Sequence, residues 1–204
     1  CCYIRVNTNH SFCKWAETNN IPLLSKKVSQ HINLSLHLFK YNTLLSYHKW
    51  NDAHKESKDV LNQVLELSKT SFNHNRFRAD NHFSEHVIES IYSNWVVNEV
   101  KSGQANLYYI ISNNKVVAFF LYRENISPLK KFKIGFVYLI ASSADYTEKK
   151  YASNLLNYVF NIAKDVNTHY VIANTESKTI SALSFFKKNN FIERAYLNEY
   201  HLWN

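Results

Sequence analysis

Hydrophobic periodicity changes near residue 57, and the order of segments beyond that point restricts the fold more than any other feature of the sequence. Val60, Leu61, Val64, Leu65 and Leu67 fall at helical spacing and predict a helix over 57–70. Val87, Ile88, Ile91, Tyr92, Trp95 and Val96 line one face of a second helix, with Ser84 as its N-cap and Gly103 in the left-handed position that ends it. Three strand-like runs come next, over 106–112, 115–123 and 132–142. Asn113-Asn114 joins the first two, since asparagine tolerates the positive φ of a tight hairpin. A helix over 148–164, a short strand over 170–173, a helix over 179–189 and a strand or hairpin over 191–203 complete the chain. The order α-α-β-β-β-α-β-α-β is an antiparallel meander followed by βαβ elements. It implies an α/β (α+β) fold with a mixed, mostly antiparallel sheet flanked by helices.

Before residue 57 the pattern is different. Residues 3–6 alternate as a strand, 10–19 read as a short helix ended by Asn19-Asn20, and 23–38 as a long β-like stretch. Residues 40–55 are polar and aromatic without a clean period and serve as a connector. The expected division is therefore a small N-terminal strand-helix-strand lobe with its connector over 1–56 and a main unit over 57–204.

The net charge of +8 is spread over separated pairs, Lys26-Lys27, Lys130-Lys131, Lys149-Lys150 and Lys187-Lys188. Such a diffuse field steers anions, suiting an anionic cofactor or a nucleotide sugar, and no nucleic-acid partner is expected. Apolar residues make up 46% of the chain, enough for a full core. No run approaches the ~18 to 20 uninterrupted apolar residues of a membrane span. There is no basic-then-apolar leader either, so a cytoplasmic protein is expected. The chain opens at Cys1 and contains no Met, which reads as a start that is missing or processed away. Cys1, Cys2 and Cys13 lack metal-ligand spacing, pointing to reduced thiols and to neither a disulfide framework nor a zinc site. With only two Gly and two Pro, glycine-based motifs are prone to erosion in this chain.

The segment Phe72-Asn73-His74-Asn75-Arg76-Phe77-Arg78-Ala79-Asp80 is followed on the next helix by Ile91-Tyr92-Ser93-Asn94-Trp95. Together they resemble the Ser-Arg-Phe-x-x-Asp segment and Tyr-x-x-Trp helix of bacterial TDP-4-amino-sugar acetyltransferases of the TDP-fucosamine type. Those enzymes are GCN5-related N-acetyltransferases (GNAT) and share the small N-terminal lobe. The resemblance implies a GNAT-type sheet, acetyl-CoA as co-substrate, no metal, and a small-molecule amine as acceptor, namely the amino group of a nucleotide-linked amino sugar.

In that family a Gln/Arg-x-x-Gly-x-Gly/Ala motif opens the helix after the fourth strand, where first-turn N–H groups and the positive dipole end meet the pyrophosphate. The matching stretch here is Thr147-Glu148-Lys149-Lys150-Tyr151-Ala152, with Ser153 next. Thr147 stands at the Gln/Arg position, Lys150 at the first Gly, and Ala152 keeps the Gly/Ala position. A side chain at 150 crowds the phosphates or, as a lysine, neutralises them. A plain amphipathic helix with a solvated charged start is the other reading. The family's Asn-x-x-Ala-x-x-x-Tyr-x-x-x-Gly-Phe aligns with Thr179, Ala182, Phe186, Asn190 and Phe191. Phe186 lacks the hydroxyl that in many members protonates the departing thiolate.

Acetyl transfer requires a neutral amine, donors for the developing oxyanion and a proton source for sulfur. The resemblance places the oxyanion donors on the backbone near Leu139, Ile140 and Ala141. Tyr151, Tyr196 and Tyr200 are weak candidates for the acid; each reads first as an ordinary half-buried aromatic, and no base is named. Arg76 reads either as a clamp on a substrate phosphate or carboxylate or as a structural tie to Asp80. His82-Phe83-Ser84-Glu85-His86 has the spacing of an inverted zinc-protease motif, but a cap at Ser84 leaves His82 outside the helix. Retention of the fold for binding or regulation, without catalysis, is the alternative that Lys150, Thr179 and Phe186 suggest. An edge strand near the C-terminus is expected to offer a homodimer contact.

Overall fold

The computed structural model describes residues 1–51, 57–72, 76–127, 132–143 and 150–203. Among them run β1 (Cys2–Asn7), α1 (Ser11–Thr18), β2 (Ser25–Asn33), β3 (Ser46–Lys49), α2 (Ser57–Ser71), α3 (Glu85–Lys101) and β4 (Asn106–Ser112). They continue as β5 (Lys115–Ile126), β6 (Lys133–Ser142), α4 (Tyr151–Asp165), β7 (Thr168–Glu176), α5 (Ile180–Lys188) and β8 (Ile192–Leu202). The strands hydrogen-bond in the order β1-β8-β2-β7-β6-β5-β4-β3. The pairs β1–β8, β2–β8, β3–β4, β4–β5 and β5–β6 are antiparallel, giving the mostly antiparallel α/β sheet expected from the sequence. No helix among the described residues is long and apolar enough to cross a membrane.

The chain divides into two compact units, residues 1–32 with 73–88 and 173–204, and residues 33–72 with 89–172. In the second unit, Val60 and Val64 of α2 and Val96 and Val100 of α3 close over Leu107, Phe119, Leu121, Leu139 and Ala141. Burying each such side chain contributes about 1.5–3 kcal/mol. On α4, Leu155, Leu156, Val159, Phe160 and Ala163 are buried, and Phe160 meets Phe39 edge-on at 5.2 Å. The β4–β5 turn is the two-residue type the sequence predicts: Ser112 pairs with Lys115, and Asn113 and Asn114 take φ of 50° and 59°.

In the first unit β8 lies between β1 and β2, so that Arg5, Glu199 and Ser25 stand side by side. The edge strand expected near the C-terminus is therefore an inner strand; β1 and β3 are the edges. Residues 191–203 form one strand and no hairpin. The β-like stretch over 23–38 stops at Asn33, whose Oδ1 accepts from the Ser35 N–H at 3.0 Å and caps a 3-10 turn over Leu34–Leu36. Leu36 and Leu38 continue the period-two pattern yet are 74% and 87% exposed, so alternation there records no buried face. The connector contains the short strand β3, too brief and polar to show a period.

Candidate functional site

On β6, where the oxyanion donors are expected, the register against β5 slips. Leu121 pairs with Leu139 but Tyr122 with Val137, leaving Tyr138 as the extra residue. A bulge bends a strand and re-aims the residues beyond it, and the next three are Leu139, Ile140 and Ala141. Leu139 and Ala141 are buried and Ile140 is half-buried. Tyr138 packs on Trp95 at 5.8 Å, and its hydroxyl accepts from Arg123 Nη1 at 3.1 Å. Neither Tyr138 nor Arg123 stood out in the sequence, because a bulge has no residue signature of its own.

In the same unit α4 packs on β4, β5 and β6. Lys150 immediately precedes it at φ 51°, ψ 34°, in the left-handed region that favours glycine. The expected helix start at 148 is thus displaced: Lys150 is not helical, and α4 begins at Tyr151. A left-handed residue with an ammonium side chain thus stands at the helix start. The first turn of α4 contains no acidic residue, and the Lys150 side chain makes no capping bond. A helix N-terminus of this kind suits an anion such as a pyrophosphate. Ala152 and Ser153 are half-buried in that turn. Thr147, Glu148 and Lys149 lie outside the described residues.

In the first unit, Thr179 is the N-cap residue of α5 without a side-chain cap bond, and Ala182 is half-buried one turn on. Phe186 is buried with its ring 5.0 Å from Phe191. Asn190 takes φ 66° after α5, the left-handed position at a helix end that asparagine tolerates. Of the three tyrosines, Tyr151 is buried with its hydroxyl donating to Ser112 Oγ at 3.2 Å. Tyr196 is exposed and donates to Glu193 at 2.8 Å, and that bond makes it a weaker acid than usual. Tyr200 is buried against Phe12, and burial likewise pushes its phenol up.

The segment from Arg76 to Phe83 is joined to β8 by two polar contacts. Arg76 Nη1 stands 3.6 Å from Glu199, and its guanidinium lies 4.3 Å from the rings of both Tyr3 and Phe77. Asp80 does not tie to Arg76. It accepts from His201 Nδ1 at 2.5 Å, Trp203 Nε1 at 3.0 Å, and His82 Nδ1 and backbone N–H at 2.8 and 3.0 Å. His82 precedes α3 and is engaged with Asp80; among the described residues no group of three His, Cys, Asp or Glu side chains is arranged for a metal. Burial alone would raise Asp80, but the bonds from His201, His82 and Trp203 outweigh it and hold the carboxyl well below its ordinary range. Burial would likewise raise Glu199, but Lys27, the Tyr3 hydroxyl, Arg76 and Arg5 outweigh it and set its pKa at about 2. Glu199, His201 and Trp203 were missed in the sequence, although their spacing by two marks one face of a strand.

The mostly antiparallel sheet with its bulged β6 and flanking helices is a scaffold of the acetyltransferase kind in fold. The family model for the acetyltransferase (GNAT) family matches residues 61–191, and the chain belongs to that family. No curated protein matches the chain in sequence. Among solved structures it is similar to a GCN5-related N-acetyltransferase from Sphaerobacter thermophilus, at 11% identity and TM-score 0.65, over 97% of this chain and 58% of that one. A GNAT-family acetyltransferase from Colwellia psychrerythraea shares 10% identity at TM-score 0.59, over 98% of this chain and 64% of that one. Saccharomyces cerevisiae N-myristoyltransferase with bound myristoyl-CoA shares 16% identity at TM-score 0.55, over 87% of this chain and 48% of that one. The chain therefore spans less than two-thirds of the length of each of these three.

Proposed function

We propose that the chain is an N-acetyltransferase that moves an acetyl group from acetyl-CoA to an amine, the acceptor being the amino group of a nucleotide-linked amino sugar. The observation that carries this reading is the helix start at Lys150, a left-handed lysine ahead of a first turn without acidic residues. Acetyl-CoA supplies an activated acyl thioester. Backbone N–H groups at Leu139, Ile140 and Ala141, just past the bulge, are the proposed donors to the carbonyl oxygen as it gains charge. The amine nitrogen forms the new bond to the carbonyl carbon as the C–S bond breaks, the amine gives up a proton, and the thiolate takes one. The N-terminus of α4 with Lys149, Lys150, Tyr151, Ala152 and Ser153 is proposed to hold the pyrophosphate. Thr147, Thr179, Ala182 and Phe186 are proposed to line the cofactor, and Arg76 the acceptor. Likeness in fold to a transferase crystallised with myristoyl-CoA is in keeping with an acyl-CoA co-substrate. The cytoplasm is the compartment proposed with this reading, in keeping with the free thiols of Cys1, Cys2 and Cys13.

The buried, hydroxyl-free Phe186 favours a second reading, a GNAT-fold binding or regulatory protein without turnover. Calorimetry with acetyl-CoA, comparing wild type with Lys150→Glu, tests the first. Micromolar binding weakened by the charge reversal supports it, and a screen of amino-sugar nucleotides for CoA release is then the next step. Binding without CoA release across that screen favours the second reading, and no binding at all sinks the first.

A further inference from the structure

The carboxylate of Glu199 is fully buried and its oxygens are already well supplied. Oε1 accepts from the Tyr3 hydroxyl and from Arg5, whose Nε and Nη2 stand at 2.8 and 2.7 Å, and Oε2 accepts from the Ser25 hydroxyl at 2.9 Å. Two further cations stand against it beyond hydrogen-bond reach. Lys27 Nζ is 3.7 Å from Glu199 and 3.6 Å from Glu176, and Arg76 Nη1 is 3.6 Å from Glu199. Arg76 Nε is buried with no hydrogen-bond partner among the described residues. The rings of Tyr3 and Phe77 attract its charge but leave its N–H donors unfilled. Arg5, Lys27 and Arg76 thus face Glu176 and Glu199, an excess of one positive charge around the fully buried Glu199. Burial disfavours the charged form of Lys27, and Glu199 and Glu176 only partly offset this. Buried cations with unfilled donors are costly unless something completes them. The Lys27 and Arg76 side chains keep 15% and 18% of their surface exposed, while Arg76 Nε itself is buried.

We propose that Lys27 and Arg76 form an anion subsite that takes a phosphate or carboxylate group. The lysine offers a point charge with rotatable donors, and the guanidinium offers the edge that Glu199 leaves unfilled.

The test is calorimetric titration of the full chain, without acetyl-CoA and at constant ionic strength, with pyrophosphate, a nucleoside diphosphate and succinate. Wild type is compared with Lys27→Met and with Lys26→Met, which removes the same charge from the exposed neighbour on β2. Wild type and Lys26→Met bind at least one of these anions, and Lys27→Met binds it about tenfold more weakly, the loss expected for one charge-assisted hydrogen bond. Preference for the phosphate probes over succinate, or the reverse, identifies the acidic group. Arg76→Met, with its fold checked by near-ultraviolet circular dichroism, repeats the loss. Equal affinities for Lys27→Met and Lys26→Met, or no binding of any probe by wild type, overturn the proposal. Because the titration omits acetyl-CoA, a failure of acetyl transfer is read separately.

Discussion

Glu199→Gln removes a charge from the centre of the first unit and leaves the shape almost unchanged. Its carboxyl, ordinarily at 4.5, is held at about 2: burial would raise it, but Lys27, the Tyr3 hydroxyl, Arg76 and Arg5 outweigh burial. That gap corresponds to roughly 3 kcal/mol of folding free energy at neutral pH. The folded value lies below the unfolded one. The contribution is therefore complete above about pH 4.5 and is lost as the pH falls through about 2. In the variant, Arg5, Lys27 and Arg76 lose the buried carboxylate they face, and removing one partner of a buried ion pair typically costs ~3–5 kcal/mol. For a chain of this length the drop in Tm is roughly 6–12 °C. Urea unfolding followed by tryptophan fluorescence, run on both proteins at pH 7 and pH 3, measures it. The expected difference is about 3 kcal/mol at pH 7 and about half that at pH 3. A difference below about 1 kcal/mol at pH 7, or one that does not shrink in acid, would refute the assignment of Glu199 as the charge that holds this cluster.

Three further outcomes are expected. In Gly135→Ala the new Cβ would stand 2.2 Å from the Tyr122 hydroxyl oxygen and 2.7 Å from its ring carbons. That ring is buried and its hydroxyl donates to Glu124, so about 1–3 kcal/mol should be lost in urea unfolding; wild-type stability would show that the ring can give way. Lys150→Gly should raise stability by about 0.5 kcal/mol, since a side chain in the left-handed region costs ~1–2 kcal/mol and glycine's extra chain entropy offsets part of the gain. The same variant should bind acetyl-CoA more weakly, so a melting temperature and an affinity that both rise would contradict the role given to the lysine. A double-mutant cycle of Asp80→Asn and His201→Phe should give a coupling of about 1.5–3 kcal/mol at neutral pH. Asp80 sits below its ordinary range when folded, so this coupling should persist above that range and fade in acid; additive effects at pH 7 would remove the pairing.

The element order was legible because most of the apolar positions that set it also face a core. Val60, Val64, Val96 and Val100 sit in one cluster, and Leu155, Leu156 and Val159 are buried on α4. The misreadings occur where the pattern and the burial separate. Leu36 and Leu38 alternate without a face to cover, and β3 is four residues of mixed polarity whose strand character comes from pairing with β4. Strand order was less accessible still. Sequence periodicity says that β8 is a strand, but its place between β1 and β2 depends on long-range pairing that no local pattern encodes.

The site illustrates a different limit. Glycine motifs are searched for by residue, whereas the chain selects for the backbone conformation that glycine makes easy. Lys150 and Asn190, which the resemblance aligns with glycines, take φ of 51° and 66°, the left-handed backbone that glycine makes easy. The Arg76-Phe77-x-x-Asp80 segment makes the complementary point. Its residues match a pattern, yet Arg76 is drawn to Glu199, and Asp80 to His201 and Trp203, more than a hundred positions away in sequence. Lys27, which also faces Glu199, and the unfilled Nε of Arg76 belong to the same cluster, and no local pattern marks them.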